Sequence, residues 1–173
     1  MKERIYMSIN RIKQFYLFAT DKVKKEDIDF TKKYLDKNEI NIFNSLSNAD
    51  KKHSIRVAYD VFKICRKENK DLDITHRLVK VALLHDVGKG LCKLNIIDRS
   101  LLVILDSLSN GKIKKFSNIK KIDIYYNHAE KAYNILKNNG YDDNFLNLIK
   151  NHHSRNINID DELRILMFCD DKN

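Results

Sequence analysis

Apolar residues recur at intervals of three and four along most of the chain, and not at alternating positions. This spacing is typical of helices that bury one face. One such stripe comprises Ile5, Ile9, Ile12, Phe15 and Tyr16. A second predicted helix carries Ile28, Tyr34 and Leu35, and a short third carries Ile40, Phe43 and Leu46. The first fifty residues therefore read as a helical extension.

The remaining pattern is also helical. The run Ser47-Asn48-Ala49-Asp50 offers several capping side chains before a long helix that carries His53. Asp73 or Thr75 is predicted to cap the next helix, which carries His85. Further helices are predicted near residues 97–108, 123–138, 142–152 and 160–171. With no strand pattern, internal repeat or long linker, the expected fold class is all-α.

Composition agrees with a single helical domain. The 173 residues include no proline and only four glycines, with 33% charged and 43% hydrophobic residues. A chain of this length can bury one core, so we expect one domain over residues 1–173, with an extension at 1–50 and a core at 51–173. No stretch approaches the roughly 18 consecutive apolar residues of a membrane span, and the N-terminus lacks the features of a secretory signal. We therefore expect a cytoplasmic protein without a membrane partner.

The net charge of +9 is compatible with an anionic substrate or with nucleic acid. Its distribution argues against nucleic acid, because lysines are scattered along the chain. The densest basic run, residues 111–121, contains one aromatic residue and no recognisable reader motif. A solvated basic loop is the favoured interpretation of this run, and attraction of phosphorylated substrates comes second.

The cysteines do not form a recognisable site. Cys65, Cys92 and Cys169 are odd in number and lack CxxC spacing, which argues against a disulfide framework or a structural zinc site. We expect reduced thiols, and no metal role for Cys169 although it precedes an aspartate.

Candidate chemistry centres on His85-Asp86, which ends the apolar stretch Val81-Ala82-Leu83-Leu84 and precedes Val87-Gly88-Lys89. Other potential ligands lie on both sides of the pair. His53 lies 32 residues before His85, and the others follow the pair in the order His128, His152-His153 and Asp170. This ordered set resembles the HD superfamily of metal-dependent phosphohydrolases, of the HDIG type, over about residues 50–173.

The resemblance implies a compact helical HD-domain fold and two bound metals. One metal would be held by His53, His85, Asp86 and Asp170. The second would be held by His128, His152 and His153, with Asp86 bridging both. Nitrogen-rich ligation with carboxylates suits divalent transition metals, and family analogy favours iron or manganese.

Helical geometry helps to select among neighbouring candidates, because successive residues turn by about 100° around the axis. Asp170 follows Leu163, Leu166 and Met167 by seven, four and three positions, which places it on the apolar face. Asp171 is rotated towards another face. His76 and His85 would point to opposite faces of one helix, so His76 is predicted to be a structural or surface residue.

Two metals of this kind can activate a shared water for in-line attack on phosphorus, so the resemblance implies a metal-bridged hydroxide as nucleophile. Lys89 is predicted to contact the phosphoryl group, either as a substrate-binding or as a catalytic residue, if the helix persists beyond His85. Its alternative role is to satisfy the helix dipole. Arg99 is a second candidate for substrate binding, although a surface or ion-paired arginine is the stronger interpretation. Gly88 and Gly90 would end the helix and let the chain pass close to substrate.

The predicted substrate is a phosphorylated small molecule, a nucleotide or a dinucleoside polyphosphate. The chain lacks the Gly-Tyr-Pro element of HD-GYP cyclic-dinucleotide phosphodiesterases, so that substrate is not transferred. A non-catalytic regulatory or ligand-binding HD module stays open, as does, with less support, a basic nucleic-acid-binding protein. Residues 1–50 would either cap the pocket or form the interface of a homodimer.

Overall fold

A computed structural model describes residues 20, 22–154 and 160–173. In these residues the chain forms eight α-helices, two 3-10 helices and no strand, which confirms the all-α prediction. The α-helices are α1 (Lys25–Tyr34), α2 (Lys37–Asn44), α3 (Asn48–Lys67), α4 (Leu72–Leu84), α5 (Ile96–Ser109), α6 (Lys120–Lys137), α7 (Asp143–Asn151) and α8 (Asp161–Lys172). The 3-10 helices are Val87–Leu91 and Lys112–Phe116. The predicted stripe from Ile5 to Tyr16 lies outside the described residues.

Side-chain caps begin several of these helices. The Ser47 hydroxyl accepts the Asp50 backbone N–H at the start of α3, so the cap is one of the several candidates predicted in residues 47–50. The cap of α4 is Asp71, whose carboxylate accepts the Asp73 N–H. The prediction of Asp73 or Thr75 as this cap is wrong, because Leu72 is already helical and the Thr75 hydroxyl donates to the Asp71 carbonyl inside the first turn.

The main core lies where α3, α4, α7 and α8 meet. Helices α3 and α4 pack along each other, and α8 packs against α3. Fully buried aliphatic side chains from these helices fill the contact, among them Val61, Leu83, Leu148 and Leu166. Burial of each such side chain stabilises the fold by about 1.5–3 kcal/mol.

A smaller apolar cluster lies apart from this core. It joins α5, the second 3-10 helix and α6 through Leu94, Leu102, Ile113, Ile122 and Ile124. Helix α5 is therefore attached to the molecule through one side and the segments that flank it. None of the helices in the described part of the chain combines the length and apolar character needed to traverse a bilayer.

Candidate metal centre

Seven polar side chains meet in the interior, three from helices and four from the residues that follow two other helices. His53 lies in α3, His128 in α6 and Asp170 in the last turn of α8. The pair His85-Asp86 follows the last residue of α4, and His152-His153 follows the last residue of α7. The two adjacent pairs thus lie where helices end, so both members of each pair reach the same cluster.

Asp86 lies between two groups of ligand atoms. Its Oδ2 is 3.7 Å from His53 Nε2 and 3.5 Å from His85 Nε2. Its Oδ1 is 3.4 Å from His128 Nε2 and 3.9 Å from His152 Nε2. One carboxylate therefore presents a different oxygen to each half of the cluster.

The other members fall into the same two halves. In one, ligand atoms of His53, His85 and Asp170 lie within 4.8 Å of one another. In the other, those of Asp86, His128, His152 and His153 do so. Asp170 Oδ1 is 2.9 Å from His53 Nε2, and its Oδ2 is 3.8 Å from His153 Nδ1. The structure thus brings all seven predicted metal ligands together.

Backbone carbonyls fix the tautomers of three histidines. His85 Nδ1 lies 2.8 Å from the Ala82 carbonyl, and His152 Nδ1 lies 2.6 Å from the Ile149 carbonyl. His128 Nδ1 lies 3.2 Å from the carbonyl of Ile124. Because a carbonyl only accepts, each Nδ1 carries a proton, and Nε2 is the ring atom directed at the cluster and available to a cation. The sequence did not identify these acceptors.

Buried atoms without a hydrogen bond support a cation at this position. Among the described residues, His85 Nε2, His152 Nε2 and Asp86 Oδ1 are buried and have no hydrogen-bond partner. Orphaned polar atoms are costly in a protein interior. Three nitrogen and carboxylate donors that face one another without partners are the arrangement a transition metal requires, so the residues fit a divalent metal.

The family model for the HD domain matches residues 51–172, more than half of the chain. The chain belongs to the HD domain family. No curated protein and no solved structure matches it. HD domains form a superfamily of metal-dependent phosphohydrolases that includes non-catalytic members. The His and Asp cluster of this HD domain fits the divalent metals that the family binds.

The carboxylates of this HD domain are ionised. Burial alone would raise the pKa of Asp86, but the Lys89 ammonium and the surrounding histidines outweigh it and hold the pKa well below its usual range. For Asp170 the same effect of burial is outweighed by the nearby imidazoles of His53 and His85, and its pKa is also far below normal. Both groups are therefore in the form that binds a cation.

Most of the buried imidazoles are neutral. Burial, reinforced by the charge of Lys89, lowers the pKa of His128 to about 3. Burial also lowers the pKa of His152 and His153. His85 differs, because Asp86 and Asp170 outweigh its burial and raise its pKa to about 8. A cation that binds His85 must therefore displace a proton.

Lys89 reaches the cluster by a different route from the one predicted. Helix α4 ends at Leu84 and does not persist to Lys89, which lies in the 3-10 helix Val87–Leu91. The tighter turn brings the ammonium to Asp86, with Nζ 2.5 Å from Oδ2. The condition attached to the prediction, a helix that persists to Lys89, is not met, but Lys89 still lies beside the candidate metal ligands.

Gly88 and Gly90 serve close packing. A Cβ at Gly88 would lie 2.0 Å from the backbone carbonyl oxygen of His128, and one at Gly90 would lie 2.2 Å from the Ser45 hydroxyl. The 3-10 helix therefore lies against α6 on one side and the turn before α3 on the other. At both glycines the chain passes close to other parts of the protein itself. Neither glycine ends α4, because that helix already ends at Leu84.

Arg99 lies against an acidic partner that the sequence did not single out. Its guanidinium donates to Asp50 Oδ1 at 2.5 Å, and its Nε donates to the Leu94 carbonyl. Asp50 is buried, one turn before His53, and also accepts from the Ser47 hydroxyl. Arg99 thus ties α5 to the helix that carries His53, and its contact with substrate stays a prediction.

Three other candidates lie outside the cluster. His76 is exposed and packs its ring against Tyr34, and Asp171 is exposed where Asp170 is buried. Cys169 is buried in the main core. Burial chiefly raises the pKa of its thiol to about 12, so the thiolate needed for metal binding is absent at neutral pH.

Proposed function

We propose that the protein is a dinuclear metal-dependent phosphohydrolase of the HDIG type. It would cleave a phosphoester or phosphoanhydride, with a nucleotide or dinucleoside polyphosphate as substrate. The observation that carries this proposal is the position of Asp86, whose two oxygens face two separate groups of ligand atoms. A single metal would leave one of these groups of buried donors without a partner.

The proposed ligand sets follow the two halves of the cluster. His53, His85, Asp86 and Asp170 would hold one metal, and His128, His152 and His153 would hold the other together with Asp86. Three neutral imidazoles and a carboxylate favour a first-row transition metal over magnesium or calcium. Iron and manganese are the proposed metals.

When bound, the metals would supply Lewis acidity and activate a water molecule for attack on phosphorus. The side chains of the HD domain would hold and orient the reacting groups. Lys89, whose side chain is 18% exposed, would place its ammonium beside a phosphoryl oxygen and stabilise the developing negative charge.

The exposure of the proposed ligand side chains indicates the side from which a substrate would approach. The His153 side chain is 49% exposed, whereas the side chains of the other six proposed ligands range from fully buried to 18% exposed. The open side of the cluster thus lies at His153, a member of the second ligand group. A phosphate that enters there would meet the second metal before the first, and the positive charge of the chain would favour an anionic substrate.

The test compares two adjacent carboxylates. Asp170→Asn should lower the metal content of anaerobically purified protein. It should also reduce the hydrolysis of a panel of nucleotides and dinucleoside polyphosphates by at least roughly 100-fold, because loss of even a group that only hydrogen-bonds to a ligand costs about 10–100-fold. Asp171→Asn is the matched control, because Asp171 is exposed one residue away. It should leave both quantities unchanged.

Elemental analysis and product identification separate the outcomes. More than one metal ion per wild-type chain, with turnover lost only in Asp170→Asn, supports the proposal. Metal binding without turnover on any phosphate ester would replace it with a ligand-binding HD module. Less than one metal per chain after reconstitution would contradict the dinuclear centre itself.

A further inference from the structure

Helix α5 exposes an apolar stripe. Five of its large aliphatic side chains are strongly exposed: Ile97 (73%), Leu101 (53%), Ile104 (54%), Leu105 (38%) and Leu108 (77%). Exposed large apolar residues on the other described α-helices occur singly, as Leu72 in α4 and Phe168 in α8 do. Scattered apolar residues are normal on a surface, but a contiguous group marks an interaction site.

The stripe has the geometry of a helix-packing seam. Ile97, Leu101, Ile104 and Leu108 are spaced by four, three and four residues, the interval at which coiled-coil helices bury their a and d positions. At about 100° per residue all five side chains, Leu105 included, fall within an arc of about 100°. The seam is about 17 Å long.

The other sides of α5 contact the protein itself. Leu102 is buried in the smaller apolar cluster, and Arg99 donates to Asp50. The Asp106 carboxylate accepts a hydrogen bond from the Tyr126 hydroxyl. These contacts fix the rotation of α5, so the stripe is held facing outwards.

The size of the stripe fits an interface between two equal surfaces. Five aliphatic side chains at these exposures present on the order of 500 Å² of apolar surface, near the upper end of the largest patch on a typical monomer. Two such stripes face to face would bury about 1,000 Å² in total, which is the area that a specific interface needs.

We propose that α5 pairs with α5 of a second copy of this chain, in an antiparallel arrangement. Ser100 and Ser107 flank one edge of the seam, so two helices can approach closely along that edge. Asp98 flanks the other edge, where its carboxylate is already paired with the Lys121 ammonium. In an antiparallel pair the two helix dipoles point in opposite directions, so the positive end of each helix lies beside the negative end of the other. The same surface then serves both copies, as in a twofold dimer.

Charge decides the relative direction of the two helices. Beyond the C-terminal end of α5, residues 110–118 carry three exposed lysines and no acidic residue. A parallel pair would place these two basic segments side by side, where they would repel. An antiparallel pair separates them to opposite ends of the interface.

An anionic lipid surface is less suited to this stripe. Interfacial helices carry lysine or arginine along the polar face and often an aromatic residue on the other. Helix α5 itself carries Arg99 with Asp98 and Asp106, and its stripe contains no aromatic residue. Its own charge would therefore oppose an acidic bilayer.

Sedimentation equilibrium of the full-length, metal-loaded protein tests the pairing. The wild type should have twice the mass of the 20.5-kDa chain. Ile104→Lys should raise the dissociation constant of the dimer at least tenfold, because each copy would bury an ammonium in the seam. Leu72→Lys is the matched control, since Leu72 is 72% exposed outside the stripe and its replacement should leave the mass unchanged. Circular dichroism would verify that both variants are folded.

Disulfide trapping in a Cys92→Ser background tests the direction. A mixture of Ile97→Cys and Leu108→Cys chains should form a cross-linked heterodimer under oxidising conditions, because an antiparallel pair brings these positions together. Efficient self-linking of Leu108→Cys alone would overturn the antiparallel arrangement.

Other outcomes overturn the proposal and identify a different occupant. A wild type that is monomeric at its highest soluble concentration rules out the dimer. If that monomer then binds phosphatidylserine vesicles and Ile104→Lys does not, the stripe is a lipid-binding surface. If removal of residues 1–19 converts the monomer into a dimer, those residues cover the stripe. A dimer unaffected by Ile104→Lys places the interface elsewhere.

Discussion

Asp86 reaches both halves of the cluster because the chain tightens from α-helical to 3-10 geometry beside it. The same tightening brings Lys89 onto Oδ2 of Asp86, on the side of His53 and His85. The lysine thus compensates the negative charge of a carboxylate that is fully buried. In the proposed enzyme, a metal that takes over this oxygen would free the ammonium for substrate.

Replacement of Lys89 by methionine keeps most of the side-chain volume and removes its charge. In the proposed phosphohydrolase, Lys89→Met should lower kcat/KM by about 100-fold, as the loss of one transition-state donor does. The metal content should persist, because an ammonium is not a ligand. Steady-state kinetics and elemental analysis on the same preparation measure the two effects.

Lys80→Met is the control for this change. Lys80 is similarly buried and pairs with Glu39, between α2 and α4, at 2.7 Å. Its replacement should reduce stability and leave kcat/KM unchanged. Equal activity of wild type and Lys89→Met would contradict a role for Lys89 in the reaction.

At the scale of the residue, the sequence predicted the candidate ligands better than their surroundings. Helical phase selected Asp170 over Asp171, and the structure buries the first and exposes the second. The partner of Arg99 could not be predicted, because Asp50 lies 49 residues away in the chain. The signal available was the run from Ser47 to Asp50 at a helix start, which indicated a cap and no longer-range contact.

The 3-10 helix Val87–Leu91 positions the cluster through its contact with α6. Gly88 allows this contact, because any Cβ would lie 2.0 Å from the His128 carbonyl oxygen and 2.8 Å from the Ala132 nitrogen. Both atoms belong to the backbone, so neither can rotate away. The separation between Asp86 and His128 therefore depends on a glycine at position 88.

Gly88→Ala should destabilise the protein by about 1–3 kcal/mol, the usual cost of overpacking. It should also lower metal content, because the displaced segment begins next to Asp86. Urea unfolding and elemental analysis measure the two effects.

Gly140→Ala is the comparison, since a Cβ there meets nothing within 4 Å but φ is +78°. The strain should cost about 1–2 kcal/mol and leave the metal content unchanged. Loss of metal from both variants to the same extent would show that general destabilisation is the cause.

An ion pair joins α3 to the end of α8, the helix of Asp170. Asp60 accepts from Lys172 Nζ at 2.9 Å and from the Asn173 side-chain amide at 3.0 Å. Burial tends to raise the pKa of Asp60, but these contacts outweigh it and lower the pKa below that of an ordinary aspartate. A carboxylate with a lowered folded pKa stabilises the fold above its unfolded pKa, and this contribution is lost as pH falls through the folded pKa.

Asp60→Asn should therefore cost about 1 kcal/mol of unfolding free energy at pH 7, since Lys172 is half exposed and its charge is screened. The cost should shrink as the pH falls below about 4. Urea unfolding at pH 7 and pH 3 checks the change, with the exposed Asp29→Asn as control. A cost independent of pH would contradict the electrostatic explanation.

The whole molecule consists of a large core around α3, α4, α7 and α8 and a smaller cluster that attaches α5. The metal-binding candidates all come from the first group of helices and from α6. Helix α5 is linked to the helix that carries His53 through the pair of Arg99 with Asp50. If α5 also forms the proposed dimer, association would involve the helix whose Arg99 pairs with Asp50, one turn before His53.

Leu148 in α7 tests the dependence of the fold on the main core. It is fully buried, so Leu148→Ala should cost about 2–5 kcal/mol through lost burial and a residual cavity. For a chain of this size each kcal/mol lowers Tm by about 2–4 °C. Leu72→Ala, at a position 72% exposed, should change Tm little in the same calorimetric scan. Similar losses at both positions would contradict this description of the core.

The sequence by itself determined the helical class, the approximate helices and the order of the candidate ligands. Each depends on local information: apolar spacing, capping residues and the phase of side chains around one helix. This is why α5 to α8 were predicted to within a few residues of their observed ends. The division into an extension and a core at residue 50 stays a prediction.

Tertiary structure alone decided where α4 ends, why Gly88 and Gly90 are needed, which carbonyls orient the histidines and which oxygen of Asp86 faces each group. Packing between segments far apart in the chain sets these features. After α4 ends at Leu84, residues 87–91 lie close against α6, and no periodicity within α4 encodes that neighbour. Local free-energy preferences choose the helices, whereas their mutual contacts place Asp86 between the two groups of ligand atoms.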